Sequence, residues 1–143
     1  MAEPVIVEAP IFTTLCNEAF RLRRQVFIEE QMIPSEEEFE PVDLTARHFV
    51  AIEDGEVCAT FRVVVVDEHV QIGRLAVSRH CRGRGVARRM VAFAMDVFAE
   101  DAKGRFYLTA QADKQGFYER FGFVGFGEVF MDGGIPHLCM KTY

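Results

Sequence analysis

Short apolar runs separated by turn residues dominate much of the first half of the chain, and such runs are typical of β-strands. They predict strands at residues 4–8, 47–52, 56–66 and 70–77. Asp54-Gly55 lies between two of these runs and is a turn dipeptide that joins neighbouring strands in a hairpin. The last three strands follow one another directly, which indicates an antiparallel meander.

Two helices are predicted between the first strand and the meander. The first has Thr13 or Thr14 as its N-cap and a stripe of apolar residues at helical spacing, formed by Leu15, Ala19, Leu22 and Val26. Ser35 and Glu38 have the spacing of a capping box, with Ser35 as the N-cap and Glu38 reaching back to it. This pattern predicts a short second helix or turn.

The second half of the chain alternates helices with strands. A third helix has an apolar face formed by Val86, Met90, Phe93 or Ala94, and Val97, and ends near Lys103-Gly104. A strand at 106–110, a helix at 115–121 and strands at 124–130 and 137–142 follow, with an Asp132-Gly133-Gly134 turn between the last two. Because a crossover helix precedes strand 106–110, that strand should lie parallel to strand 70–77. The predicted order is βααβββαβαββ, in one domain over residues 1–143.

Composition narrows the class of protein. Half of the 143 residues are hydrophobic and the net charge is −6. The longest apolar run, residues 90–95, is far too short for a membrane span, and the N-terminus lacks a signal-peptide pattern. We therefore expect a soluble, cytoplasmic protein that does not bind a membrane. The four cysteines are scattered, which predicts no metal site; only Cys81, beside Arg79 and Arg82, stands out as a reactive thiol if it is exposed.

Positive charge is concentrated around one glycine-containing loop. Between His69 and Met95 the chain has no Asp or Glu but has six arginines: Arg74, Arg79, Arg82, Arg84, Arg88 and Arg89. Gly83 and Gly85 lie between a predicted strand and a predicted helix, where free backbone amides and the helix dipole favour an anion. The loop therefore predicts a phosphate-binding site, although glycines that shape a turn beside a solvated arginine face would give the same pattern.

Two motifs resemble those of the GNAT N-acetyltransferase superfamily. Arg82-x-x-Gly85-x-Ala87 is similar to the pyrophosphate loop that binds coenzyme A, and residues 107–123 end in the family's Phe117-Tyr118-x-x-x-Gly122-Phe123 pattern. A narrower resemblance, to the small bacterial ElaA/YjcF-like subgroup, covers almost the whole chain. It includes Arg23-x-x-Val26-Phe27-x-x-Glu30-Gln31, His48 and the segment 132–137.

The resemblance implies an α+β fold with one mixed, mostly antiparallel sheet of six to seven strands and helices on both faces. It also implies that acetyl-CoA enters a gap between the fourth and fifth strands and that Tyr118 is the general acid for the departing thiolate. The cofactor-binding residues that it implies are Leu75, Ala76, Val77, Arg82, Gly83, Arg84, Gly85, Val86, Ala87, Arg88, Gln111 and Phe117. Gln111 replaces the family's usual Asn and Lys114 its usual Ala, so the contacts at these two positions differ from the family pattern.

The acceptor and the general base stay open at this point. Residues 70–74 offer no carboxylate, although some relatives carry a Glu on this strand. Glu29, Glu30, His48 and His137 are the alternatives for the base. The acids between residues 29 and 43 are expected to border the acceptor cleft, where they either attract a cationic amine or only solubilise the segment: Glu29, Glu30, Glu36, Glu37, Glu38, Glu40 and Asp43.

Three functions are weighed. The first is an acetyl-CoA-dependent N-acetyltransferase in which a small-molecule or peptide amine attacks directly in a ternary complex. The second is a non-catalytic acyl-CoA-binding module, which the missing carboxylate favours and Tyr118 opposes. The third, a nucleic-acid binder, conflicts with the net charge of −6 and with a single local basic patch. A homodimer is compatible with each of the first two.

Overall fold

A single seven-stranded sheet organises the molecule, and a computed structural model describes residues 3–143 of it. The strands are β1 Val5–Glu8, β2 Arg47–Glu53, β3 Glu56–Val65, β4 Val70–Val77, β5 Phe106–Gln111, β6 Val124–Asp132 and β7 Ile135–Lys141. Their spatial order is β1-β2-β3-β4-β5-β7-β6. Among the described strands, only β4 and β5 pair in parallel, and all other neighbours are antiparallel. The predicted mixed sheet, its meander and its parallel pair are confirmed.

Five α-helical segments connect these strands. They are α1 Thr14–Arg23, α2 Ser35–Glu38, α3 Val86–Val97, α4 Ala99–Ala102 and α5 Gln115–Glu119. Thr13 is the N-cap of α1, where its hydroxyl accepts a hydrogen bond from the Cys16 amide at 3.2 Å. After α1 the chain continues as a π-helix, Arg24–Glu30, which the spacing of apolar residues did not predict. Within residues 3–143 no helix combines the length and apolar character needed to cross a membrane.

The sheet is covered by helices on both faces, as predicted. Phe49 belongs to the buried cluster that contains Met90 of α3, whereas the adjacent Val50 belongs to the cluster that contains Ala19 of α1. Because successive side chains of a strand point to opposite faces, α1 and α3 lie on opposite sides of the sheet. The core between β2 and α3 is rich in phenylalanine, with Phe49 stacked on Phe61 at a centroid distance of 5.1 Å.

The predicted capping box at Ser35 is wrong. Helix α2 has Pro34 at its N-cap position, without a side-chain hydrogen bond, and Glu38 instead accepts a 2.6 Å hydrogen bond from Arg23 Nε. A buried pair of opposite charges attracts more strongly than a carboxylate and a backbone amide, so Glu38 turns toward Arg23 of α1. The capping box that does form is five residues later, between Glu40 and Asp43.

The ends of several other elements differ from the prediction. The predicted third helix is divided in two, because α3 ends at Val97 and α4 begins at Ala99. The predicted end near Lys103-Gly104 is the end of α4, where Lys103 has φ of 50°. Strand β6 ends later and strand β7 begins earlier than predicted, so that Asp132 pairs with Ile135. Gly133 and Gly134, at φ of 60° and 79°, then form a two-residue turn, because both central positions of such a turn favour positive φ.

A buried arginine network fixes the segment after α1. Arg23 is 1% exposed; it donates to Glu38 and, through Nη1 and Nη2, to both carboxylate oxygens of Asp43 at 2.9 and 3.1 Å. Arg62 and Arg74, from β3 and β4, complete it together with Glu40. We call these six residues the arginine network: Arg23, Arg62, Arg74, Glu38, Glu40 and Asp43. Three cations meet three anions, so the charges balance.

A β-bulge in β4 opens the sheet. Thr60 pairs with Ala76 but Arg62 pairs with Gly73, so β4 has one more residue than β3 in this interval, and Arg74 lies there at φ of 51°. A bulge bends its strand and increases the twist. The parallel pairing of β4 with β5 is limited to Val70 with Phe106 and Gln71 with Tyr107. From Ile72 onward the two strands therefore diverge and leave a gap.

Candidate active site

The gap between β4 and β5 is a cavity of about 500 Å³. This volume lies within the usual range for small-molecule sites, about 300–1,000 Å³. Both motifs singled out in the sequence reach the cavity. Ten of the twelve residues predicted to bind the cofactor line it, and so does Tyr118: Leu75, Val77, Arg82, Gly83, Gly85, Val86, Ala87, Arg88, Gln111 and Phe117. The other two, Ala76 and Arg84, do not.

One end of the cavity is formed by the glycine loop and the start of α3. Gly85 is the N-cap residue at φ of 77°, a left-handed conformation that glycine adopts without strain. No side chain caps the helix, and its first turn contains no acid. The first amides of a helix lack intrahelical acceptors, so those of Val86, Ala87 and Arg88 are available to an anion at the positive end of the helix dipole.

The arginines at this end differ in their partners. Arg88 lines the cavity, is exposed, and forms no hydrogen bond or ion pair within residues 3–143. Arg82 also lines it, but its Nη2 lies 2.8 Å from Glu30 Oε1 and its Nε donates to the Val77 carbonyl at 3.0 Å. Arg84 lies outside the cavity and donates to Glu53 at 2.7 Å. Arg88 is thus the guanidinium best placed for a phosphate.

The edge of β4 contributes backbone groups to the cavity. The Ser78 amide donates to the Cys58 carbonyl of β3 at 2.8 Å. Because peptide groups alternate in direction along a strand, the N–H and C=O of Val77 point away from β3 and into the gap. The Val77 carbonyl accordingly reaches Arg82. The side chain of Ala76 is buried against Leu22 and Phe27 on the face that α1 covers.

Tyr118 and Phe117 enter the cavity from α5, on the β5 side of the gap. The Tyr118 ring packs edge-on against Phe117 at 4.9 Å and Phe123 at 6.1 Å between centroids. Its hydroxyl has no hydrogen-bond partner within the described part of the chain. Burial raises the pKa of Tyr118 to about 12. The phenol therefore keeps its proton at neutral pH and can donate it to a bound molecule.

The far end of the cavity contains polar groups that the sequence did not bring together. Gln111 lines the cavity and donates to Gln31 Oε1 at 2.8 Å, which links β5 to the end of the π-helix. The β6–β7 turn forms another wall, since a Cβ on Gly133 would lie 3.0 Å from Ile33. Asp132 and His137 of the same hairpin also line the cavity. The sequence signal for Gln31, Asp132 and His137 was their place in the ElaA/YjcF-like pattern, whereas Gln111 came from the GNAT motif.

The four alternatives for the base differ in whether they line the cavity. His137 lines the cavity, whereas Glu29, Glu30 and His48 do not. His48 is 1% exposed and its Nε2 lies 2.9 Å from the Asp43 carbonyl oxygen. Burial lowers the pKa of His48, which keeps its ring neutral in a structural position.

The acidic segment mostly serves the fold. Glu38, Glu40 and Asp43 belong to the arginine network, and Glu30 pairs with Arg82. Glu37 and Glu38 line the cavity. Of these two, Glu37 is exposed and has no ion pair within residues 3–143, so its carboxylate is the one free to meet an acceptor. Cys81 also lines the cavity but is buried, so the exposure that its proposed reactivity required is missing.

These features fit a coenzyme A thioester. The free amides and Arg88 suit phosphate groups, the unpaired edge of β4 suits the amides of an extended chain, and Tyr118 lies beyond it in the same cavity. The cavity therefore combines free helix amides, an open strand edge and a protonated phenol, a combination that fits a CoA-dependent acyltransferase.

Comparison with known proteins agrees with this geometry. The acetyltransferase (GNAT) family matches residues 14–123, so the chain belongs to that family, whose enzymes use acetyl-CoA as acetyl donor. It is 35% identical to the protein ElaA of Escherichia coli over 126 residues, covering 84% of this chain and 82% of ElaA. The resemblance to the ElaA-like subgroup is thereby confirmed.

Solved structures extend the same similarity to the fold. The crystal structure of Escherichia coli ElaA superposes with a TM-score of 0.85 at 30% identity over all of both chains. An acyl-CoA N-acyltransferase from Pseudomonas aeruginosa gives 0.87 at 30% identity, covering 98% of this chain and 99% of that one. A GNAT acetyltransferase from Elizabethkingia anophelis with acetyl-CoA bound, at 11% identity and a TM-score of 0.71 over 99% and 98% of the two chains, shares the fold.

Proposed function

We propose that this acetyltransferase transfers the acetyl group of acetyl-CoA to the nitrogen of an amine by direct attack in a ternary complex. One observation carries the proposal: the glycine loop and Tyr118, which are more than 30 residues apart in the chain, line the same cavity. The acetyl-CoA thioester supplies the activated acetyl group. The acceptor, a small-molecule or peptide amine, enters at the end of the cavity opposite Arg88.

The chain's own groups then have distinct tasks. The amides at the start of α3 and Arg88 hold the phosphates. The Val77 N–H, which points into the gap, donates to the carbonyl oxygen as negative charge develops on it. Tyr118 gives its proton to the departing sulfur. Glu37 attracts a cationic amine to the mouth of the cavity.

The decisive experiment measures release of free CoA from acetyl-CoA with and without a panel of primary amines, with mass spectrometry of the products. We expect release that depends on the amine and an acetylated product of matching mass. Tight CoA binding by calorimetry, combined with no release across the panel, would instead favour the non-catalytic acyl-CoA-binding module.

The phosphate-binding end gives a separate prediction. Arg88→Ala should raise the dissociation constant for CoA by about tenfold, because a hydrogen bond to a charged group contributes about 1.5–3 kcal/mol and Arg88 is exposed. Arg21→Ala, which removes the same charge from an exposed position on α1 outside the cavity, is the control. Calorimetry that gives equal affinities for the two variants would contradict this placement of the phosphates.

A further inference from the structure

His137 occupies the acceptor end of the cavity. It lies on β7 and pairs in register with Gln111, the last residue of β5. Both residues line the cavity, as does Tyr118. His137 is therefore on the β5 side of the gap, in the cavity that holds the proposed proton donor, and is separate from the phosphate-binding loop.

The tautomer of His137 is set by the backbone. Its Nδ1 lies 2.7 Å from the carbonyl oxygen of Ile135, and a carbonyl oxygen can only accept a hydrogen bond. Nδ1 of the neutral ring must therefore carry the hydrogen, which leaves the lone pair on Nε2. The ring is also stacked against Phe130, with 6.0 Å between centroids and 28° between planes. Two contacts thus orient an imidazole whose unprotonated nitrogen has no hydrogen-bond partner in the described part of the chain.

We propose that His137 Nε2 is the general base that accepts the proton of the acceptor amine. This assignment rests on the proposed function and supplies the base that β4 lacks. An ammonium that reaches the cavity first loses one proton to solvent, because only the neutral amine has a lone pair. The amine nitrogen then forms a bond to the acetyl carbon while the carbon–sulfur bond breaks. The nitrogen's surplus proton moves to His137 Nε2, and the sulfur takes the proton of Tyr118. Atoms and charge balance, and solvent restores both side chains afterwards.

The groups around His137 are compatible with this role. Phe130 of β6 pairs with His137. Asp132 is two residues further along β6, so it is a diagonal neighbour of His137 on the same face of the sheet. An anion there stabilises the imidazolium that forms when Nε2 gains the proton. The other titratable or charged side chains of the acceptor end come from different elements of the cavity wall: Glu37, Glu38, Arg74, Lys114 and Tyr118. The neighbouring position on β5, Gln111, does not titrate.

His137→Asn is the sharpest test. The asparagine amide can still donate to the Ile135 carbonyl, so the hairpin contact is kept while the basic nitrogen is lost. We expect kcat to fall by roughly 10²- to 10⁴-fold, the usual contribution of acid–base catalysis, with KM for acetyl-CoA unchanged. Wild-type kcat should decline on the acid side, because a general base acts only in its unprotonated form, and the variant should lack this limb.

Two control variants separate the base from other effects. His69→Asn changes a histidine outside the cavity, whose Nδ1 lies 2.7 Å from the Tyr143 hydroxyl, and should leave kcat and its pH profile as in wild type. Glu37→Gln should raise KM for the amine and keep the acid limb. If His137→Asn melts too low for assay, His137→Ala with added imidazole replaces it, and a rate gain that saturates with imidazole is expected.

The outcomes are distinct. Loss of the acid limb with reduced kcat in folded His137→Asn, or rescue of His137→Ala by imidazole, supports the assignment. A folded His137→Asn variant with wild-type kcat and an intact acid limb overturns it and leaves the proposed function standing, as does an alanine variant that imidazole does not rescue. A wild-type protein that releases no CoA with any amine overturns the proposed function itself, and the base with it.

Discussion

Replacing Tyr118 by phenylalanine is expected to lower kcat by roughly 10²- to 10⁴-fold while CoA affinity changes little. The substitution keeps the ring that packs against Phe117 and Phe123 and removes only the hydroxyl. Because that hydroxyl has no hydrogen-bond partner within residues 3–143, its loss leaves no protein group unpaired. The fold should therefore tolerate the change, and the effect should appear in the chemical step.

The control is Tyr143→Phe, which removes the hydroxyl that contacts His69, outside the cavity. Its kcat should equal that of wild type. Since burial raises the pKa of Tyr118 to about 12, the phenol stays almost fully protonated up to about pH 10. Wild-type kcat should accordingly show no loss from Tyr118 up to about pH 10. A near-normal kcat for Tyr118→Phe, with chemistry shown to be rate-limiting, would remove Tyr118 from the mechanism.

Asp43→Asn is expected to reduce the free energy of unfolding by about 3–5 kcal/mol, because Glu38 and Glu40 alone would then face three guanidinium groups and leave one positive charge of the arginine network unbalanced. Asp43 accepts hydrogen bonds from Arg23 Nη1 and from Arg62 Nη1, both at 2.9 Å. Since domains of this size are typically stable by only about 5–15 kcal/mol, the loss is large. Urea unfolding followed by circular dichroism measures it.

The same carboxylate makes stability depend on acid. Burial alone would raise the pKa of Asp43, but hydrogen bonds from Arg23, the Glu40 amide and Arg62 outweigh it and hold the pKa well below its usual range. A depressed folded-state pKa stabilises the protein above the unfolded value of about 3.9, and this contribution is lost as the pH falls below it. The difference between wild type and Asp43→Asn should therefore shrink below about pH 4.

Glu8→Gln is the matched control, since it breaks an ion pair with Arg47 in which both side chains are well exposed. Such pairs contribute at most about 1 kcal/mol, so this variant should unfold close to wild type. An Asp43→Asn variant as stable as Glu8→Gln would show that the arginine network does not hold the segment after α1.

Local patterns predicted most of the elements because they report local physics. Thr13 is the N-cap that its side chain favours, Asp54-Gly55 joins β2 and β3, and the crossover through α3 makes β5 parallel to β4. The predicted capping box at Ser35 was wrong because a contact between distant segments outweighed a local one. The same local spacing was present, but a buried cation 15 residues away in the chain competed for Glu38.

The candidate site was predicted only where one continuous segment contains the signal. The glycine loop and the Phe117-Tyr118 motif are each contiguous, and both line the cavity. The acidic segment could not be interpreted this way, because the role of each carboxylate depends on which arginine packs beside it. Arg23 binds Glu38 and Asp43 in the arginine network, whereas Glu37 forms no ion pair within residues 3–143.

The sequence by itself predicted the order of elements and a glycine loop suited to phosphate, since each follows from periodicity, turn chemistry or a contiguous pattern. The single mixed sheet and the role of the tyrosine motif were implied by the family resemblance. Only the tertiary structure decided that β4 has a bulge at Arg74 and diverges from β5. It also decided that His137, of the four alternatives for the base, is the one that lines the resulting gap, and that the Ile135 carbonyl sets its tautomer. These outcomes depend on strand register and on contacts between distant segments, which no local pattern encodes.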